Sequence, residues 1–177
     1  LLWLVSNNGS QKVSFNRGYK ATISPNNDFI IYQVKPEKSI VRKAKLDKKK
    51  KVDMPKDSIK IYVFENNRKY SFPKAKSYKV GEIGGTWTAV LTEIPKKEKE
   101  KEKQPNDTTK KEKPKTPKKT SKGNEDEKPG LLTIINPIAD KKFDFKNILD
   151  YSISKNGALI AFNGKTDDTV GLSFIKV

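Results

Sequence analysis

Any chemistry in this 177-residue chain has to be done without histidine or cysteine, because it contains neither. A Ser-His-Asp triad, a Cys-His pair and a histidine-ligated metal site are therefore impossible within it. No Gly-x-Ser-x-Gly elbow occurs either. The remaining candidates are short and read best as turns. Gly164-Lys165-Thr166 has the ending of a phosphate-binding loop, but that loop requires a glycine where Leu159 stands, inside a predicted strand. Asp167-Asp168 and Asn26-Asn27-Asp28 gather oxygen ligands, yet lack the alternating spacing and distal glutamate of a calcium loop. Asn8-Gly9-Ser10 and Asn106-Asp107-Thr108 match the glycosylation acceptor, a pattern short enough to arise by chance. Trp3 and Trp87 stand in apolar strands and are expected to pack. No catalytic, cofactor-binding or metal-ligating residue is expected in this chain.

The net charge of +17 would suit a polyanion partner, so its location matters. Lys35 to Lys60 holds eleven Lys/Arg against four Asp/Glu, and Pro95 to Pro129 holds thirteen lysines against eight acids. These two stretches supply most of the excess, and the rest of the chain is close to balanced. Charge runs of this kind are expected to be solvated loops, with no nucleic-acid partner.

The second stretch contains no aromatic or branched aliphatic residue. It cannot bury enough apolar surface to offset its ordering entropy, and disorder is expected over 95–130. The flanking parts, 1–94 and 131–177, are expected to fold. The chain opens on Leu1-Leu2-Trp3-Leu4, an apolar run too short for a signal peptide or a membrane span. With no initiator methionine, it is expected to be an internal piece of a longer protein.

Outside the insertions, short runs rich in Ile, Val, Phe, Tyr and Thr alternate with Asn, Gly, Asp and Pro, which is strand and hairpin grammar. No helical period stands out. The segment from Ala21 to Tyr32, containing Ile23, Ser24 and Pro25, aligns without a gap with Tyr151 to Phe162, containing Ile153, Ser154 and Gly157. Asn26-Asn27 and Asn156-Gly157 tolerate positive φ and close a tight turn, while Pro25 presets φ for an early turn position. A weaker copy runs from Tyr78 to Leu91 through Trp87, two residues longer at its glycines. Phe15, Phe72 and Phe145 precede the three copies, each with five residues between. An apolar strand follows each: Ile59 to Phe64, Leu131 to Ile135 and Val170 to Val177.

One unit thus reads as a four-stranded antiparallel meander. The fold class expected is all-β, a partial β-propeller with long lysine-rich loop insertions. Leu1 to Phe15 would be the outer half of a first blade, Tyr19 to Phe72 a second, Tyr78 to Phe145 a third, and Tyr151 to Val177 the start of a fourth. Both insertions, 35–57 and 95–130, fall after the second strand of a unit. Loops at one end of a repeat can lengthen there because closure entropy grows slowly with length.

The Ile-Ser-Pro-Asn-Asn-Asp-Phe-Ile-Ile-Tyr run at 23–32, with its second instance at Ile153 to Phe162, resembles the blade motif of prolyl oligopeptidase-type serine peptidases and TolB-type propellers. Met54-Pro55-Lys56-Asp57-Ser58-Ile59, then Phe72-Pro73, Lys76-Ser77-Tyr78-Lys79 and a Trp-containing strand before a Lys/Glu/Pro tract, is similar to the N-terminal propeller of such peptidases from Bacteroides-like bacteria. Asn27-Asp28 in place of Asp-Gly, and Lys155 in place of Pro, depart from the motif. The resemblance implies a non-catalytic propeller that gates peptide access to an α/β-hydrolase domain outside this chain, in a bacterial periplasm or envelope. A TolB-like protein-binding scaffold is the alternative. A third reading is a polyanion binder that uses the lysine insertions.

Overall fold

A computed structural model describes residues 1–94, 128–165 and 170–176, the last stretch by its backbone. The disorder expected over 95–130 falls almost wholly outside the described residues, except that Gly130 already pairs with Glu93 in a sheet.

The first strands are β1 (Leu2–Val5), β2 (Lys12–Phe15), β3 (Gly18–Ile23) and β4 (Phe29–Val34). A helix, α1 (Lys38–Leu46), and a 3-10 turn at Lys51–Asp53 follow. Then come β5 (Ser58–Val63), β6 (Lys69–Phe72), β7 (Ala75–Val80), β8 (Thr88–Glu93) and β9 (Gly130–Asn136). The last three are β10 (Lys141–Ile153), β11 (Leu159–Lys165) and β12 (Val170–Lys176). They form three antiparallel sheets, ordered β1-β2, β3-β4-β5-β6 and β12-β11-β10-β9-β8-β7, none closed on itself.

The six-stranded sheet is two meanders sharing one strand. The first half of β10, Lys141 to Phe145, pairs with β9, and its second half, Ile148 to Ile153, pairs with β11. Phe145 is followed by Asn147 at φ 60°, where the ladder changes partner. The same step recurs earlier in the chain. Phe15 ends β2 and leads through Arg17 at φ 60° into β3, and Phe72 ends β6 and leads through Lys74 at φ 52° into β7. The aromatic that precedes each copy therefore marks where one meander hands over to the next. Strands β3, β7 and β10 each bulge near the start of their new pairing, at Lys20, Lys76 and Leu149. A bulge adds local twist, which lets successive meanders stack without running flat into one another.

Strand alternation sends successive side chains to opposite faces, so each central strand supplies two cores. From β4, Ile30, Tyr32 and Val34 face β1 and β2 with Phe15 and Tyr62, while Phe29 and Ile31 join Ile59, Ile61, Val63 and Phe72 against Val90 and Ile135 of the next layer. On its other face that layer sends Ala89, Leu91, Leu132 and Ile134 against Ile148, Tyr151, Ile160 and Phe162. This double burial explains the unbroken apolar run of β4.

Two sequence expectations change. The stretch after β4 contains a helix, where no helical period was legible. α1 buries only Ala44 and leaves Ile40 and Leu46 exposed, so its apolar spacing, Ile40-Val41-Ala44, spans little more than one turn among lysines. The glycine-containing copy is one residue longer, not two: Ala21 pairs with Tyr32 and Tyr151 with Phe162, whereas Tyr78 pairs with Val90.

Candidate functional site

The turns that anchor the repeat are polar knots. Ser24 is buried, and its Oγ accepts hydrogen bonds from the backbone N–H of Asp28 (2.9 Å) and Phe29 (3.1 Å). Ser154 Oγ accepts from the N–H of Leu159 at 3.0 Å and donates to Asn156 Oδ1 at 2.8 Å. In both turns the serine N–H donates to the carbonyl five residues on, and its carbonyl accepts from Asn27 or Gly157 three residues on. Pro25 is half-buried beside the first turn, and Gly157 is buried in the second at φ 69°. Ile23 is 48% exposed, while Ile153 packs against the last core.

A further copy of this turn escaped the sequence reading. Ser6 donates and accepts across to Gln11 in the same way, Gly9 donates to the Ser6 carbonyl, and Gly9 has φ 70°. The spacing Ser-x-Asn-Gly, shared by Ser6 to Gly9 and Ser154 to Gly157, was the available signal. Asn8 of the glycosylation-like triplet uses Oδ1 to accept from Ser6 Oγ, Ser10 Oγ and the Ser10 N–H.

The repeat tyrosines reach backwards between layers. Tyr78 Oη donates to the Lys20 carbonyl at 3.1 Å and meets Thr22 Oγ1 at 3.1 Å, so β7 is tied to β3. Tyr151 Oη meets Ser77 Oγ at 3.0 Å, and the Lys79 ammonium, over the Tyr151 ring, donates to the Tyr151 carbonyl. Ser77, Tyr151 and Lys79 thus form one polar grouping between the two layers. Burial above all pushes the Tyr151 hydroxyl well above the usual phenol value, Ser77 lowers it somewhat, and Asp150 raises it again. The contacts tie β10 to β7. Trp87 stacks on Phe143 with ring centroids 5.8 Å apart. Trp3, expected to pack, is 49% exposed with the Lys12 ammonium 4.4 Å from its ring.

The phosphate-loop candidate is excluded by position, since Gly164 and Lys165 are paired along β11 with β12. Asp167-Asp168 lies outside the described residues. Among the described residues no group of three or more acidic side chains could hold a metal, and no helix is long and apolar enough to cross a membrane.

One cleft has concentrated charge. It is an open groove of about 380 Å³ beside α1, lined by Lys35, Pro36, Lys38, Val41, Arg42, Lys45 and Asp57, largely through apolar atoms, with the charges of those side chains at its margin. Positions 38, 42 and 45 fall on one stripe of the helix by its 3.6-residue turn. Asp57 accepts a hydrogen bond from the Tyr19 hydroxyl, and Lys35 lies 5.1 Å from the Tyr19 ring centroid. Burial first, then the hydrogen bond to Asp57 and its charge, push the Tyr19 hydroxyl up to about 12. The neighbouring carboxylate, Glu37, is held by Arg17 at 2.9 Å.

No protein-family model and no curated protein matches this chain.

Proposed function

We propose that this chain is a partial β-propeller acting as the non-catalytic, access-controlling part of a serine peptidase of the prolyl oligopeptidase type, whose α/β-hydrolase domain lies outside it. The observation that carries the reading is the repeated hand-over: Phe15 and Phe72 each close a strand before a left-handed residue that leads into the next meander, and Phe145 with left-handed Asn147 marks the same change of partner inside β10. A chain of four-stranded antiparallel meanders is the build of propeller blades. The blade-motif resemblance of 23–32 and 153–162 adds the family, and tyrosine clamps between first strands suit a wall that must keep its shape while peptide passes.

The test is covalent. The protein encoded by the whole reading frame, treated with a fluorophosphonate probe, should be labelled on one serine, and should cleave short peptides while sparing folded proteins. Absence of labelling, together with stable capture of a defined protein partner, would instead establish the scaffold reading.

A further inference from the structure

The lysine-rich stretch after β4 was expected to be a solvated loop, and the structure makes part of it a helix that arranges its cations around a cleft. The arrangement is locally unfavourable in two independent ways. Lys38 and Arg42 are four residues apart, and like charges at that spacing repel and weaken a helix. Lys38 occupies the first helical position with no side-chain cap, against the direction favoured by the helix dipole, although Glu37 at the N-cap and Lys43 and Lys45 in the last turn follow it. Conflicts between local preference and observed structure gather at functional sites.

The nearby acids make no ion pair with the stripe, although Asp57 lines the same cleft, so the lining holds four cations and one carboxylate. Asp57 is engaged by Tyr19 and Glu37 by Arg17, and among the described residues Lys38, Arg42 and Lys45 make no ion pair. The cleft is of small-molecule size, in the range of about 300–1,000 Å³ usual for ligand pockets. Along the helix axis its three cations are spaced by roughly 6 and 4.5 Å, from the 1.5 Å rise per residue. That suits a compact ligand with several linked oxyanions better than one isolated anion, since each cation can meet a separate phosphate. Arg42 adds a planar fork that matches phosphate oxygens in pairs.

We propose that the cleft formed by α1, Lys35 and Asp57 binds a small oligophosphate, with Lys38, Arg42 and Lys45 each contacting the phosphate chain. The site is distinct from any peptidase function and stands or falls without it. Binding neutralises the stripe, so it also stabilises α1.

Calorimetric titration of the full chain with inorganic tripolyphosphate, at fixed ionic strength, tests this. One saturable site is expected, with a gain in helical circular dichroism. Lys38→Gln with Arg42→Gln should weaken binding by about tenfold or more, as expected for lost charge-assisted hydrogen bonds. Lys45→Gln alone should weaken it less. Lys110→Gln with Lys111→Gln removes the same charge from another part of the chain and should bind as the unaltered protein does. Both cleft variants change exposed side chains, so folding is preserved and checked by the same spectrum. Equal losses in the cleft and control variants would overturn the proposal in favour of diffuse charge. Orthophosphate binding as tightly as tripolyphosphate, or a single-stranded oligonucleotide binding where tripolyphosphate does not, would overturn it as well.

Discussion

A side-chain carbon on Gly85 would lie 2.8 Å from the carbonyl oxygen of Asn156, so the β7–β8 loop and the β10–β11 turn meet backbone to backbone. Ile83 N–H donates to the Lys155 carbonyl across the same contact at 2.7 Å, and Gly81 lies close to Gly157. Gly85→Ala therefore suffers twice, from its φ of 84° and from a neighbour that is backbone and cannot swing away. Gly84, at φ 71° with open space around it, isolates the first effect. Gly84→Ala should cost about 1–2 kcal/mol, the left-handed penalty, and Gly85→Ala distinctly more. Urea denaturation of the two variants checks the order, and equal losses would mean that the two loops do not touch.

The serine knots differ in burial, so their removal should differ in cost. Ser24→Ala leaves the N–H groups of Asp28 and Phe29 without their acceptor in a buried turn, and should cost about 1–3 kcal/mol. Ser154→Ala exposes the equivalent groups to water, which can replace the hydroxyl. Its cost should be about 1 kcal/mol or less. Thermal denaturation of both variants gives the comparison.

Phe72 closes a meander, pairs across from Ile59 and shares its core with Ile61 and Val90. Phe72→Ala should lose about 3–5 kcal/mol, the usual cost of emptying a large aromatic site. Tyr151→Phe keeps the ring and removes only the hydroxyl that meets Ser77, so about 1 kcal/mol is expected. A Tyr151→Phe loss as large as that of Phe72→Ala would show that the hydroxyl contact, rather than ring packing, dominates that layer.

Alkaline pH should unfold the protein through its tyrosines. The Tyr19 hydroxyl is raised to about 12 in the folded chain, against an ordinary value near 10. Between those values the unfolded chain has released the proton and the folded chain retains it, so stability falls as pH rises. Below about pH 10 the contribution is fully present. Tyr19→Phe should flatten the stability profile across that window, which denaturant midpoints measured at successive pH values would reveal.

Much of the strand layout was legible because packing on two faces demands an unbroken apolar run such as Phe29 to Tyr32, bounded by residues that can turn. The matched turns at Ser24 and Ser154 were legible for the same local reason. Helix α1 was harder to read, since Ile40, Val41 and Ala44 hold helical spacing over little more than one turn among lysines, and the cleft beside it takes Asp57 from outside the helix. The one-residue error in the glycine copy has another cause. Its loop length is fixed by contact with Asn156 and Gly157, which no local pattern records. The Trp87–Phe143 stack and the tyrosine clamps are likewise long-range. Trp3 shows the limit of residue type alone: it sits in an apolar strand, but on the face turned away from the core.

Strand β10 runs without a turn from one meander into the next, whereas the earlier hand-overs at Arg17 and Lys74 divide their strands in two. The last two layers are therefore spliced by one continuous strand, and the earlier ones are joined by short breaks between strands. Under tension the chain should part first at one of these breaks, leaving the spliced pair intact, and the amides of both halves of β10 should resist exchange with solvent as one block.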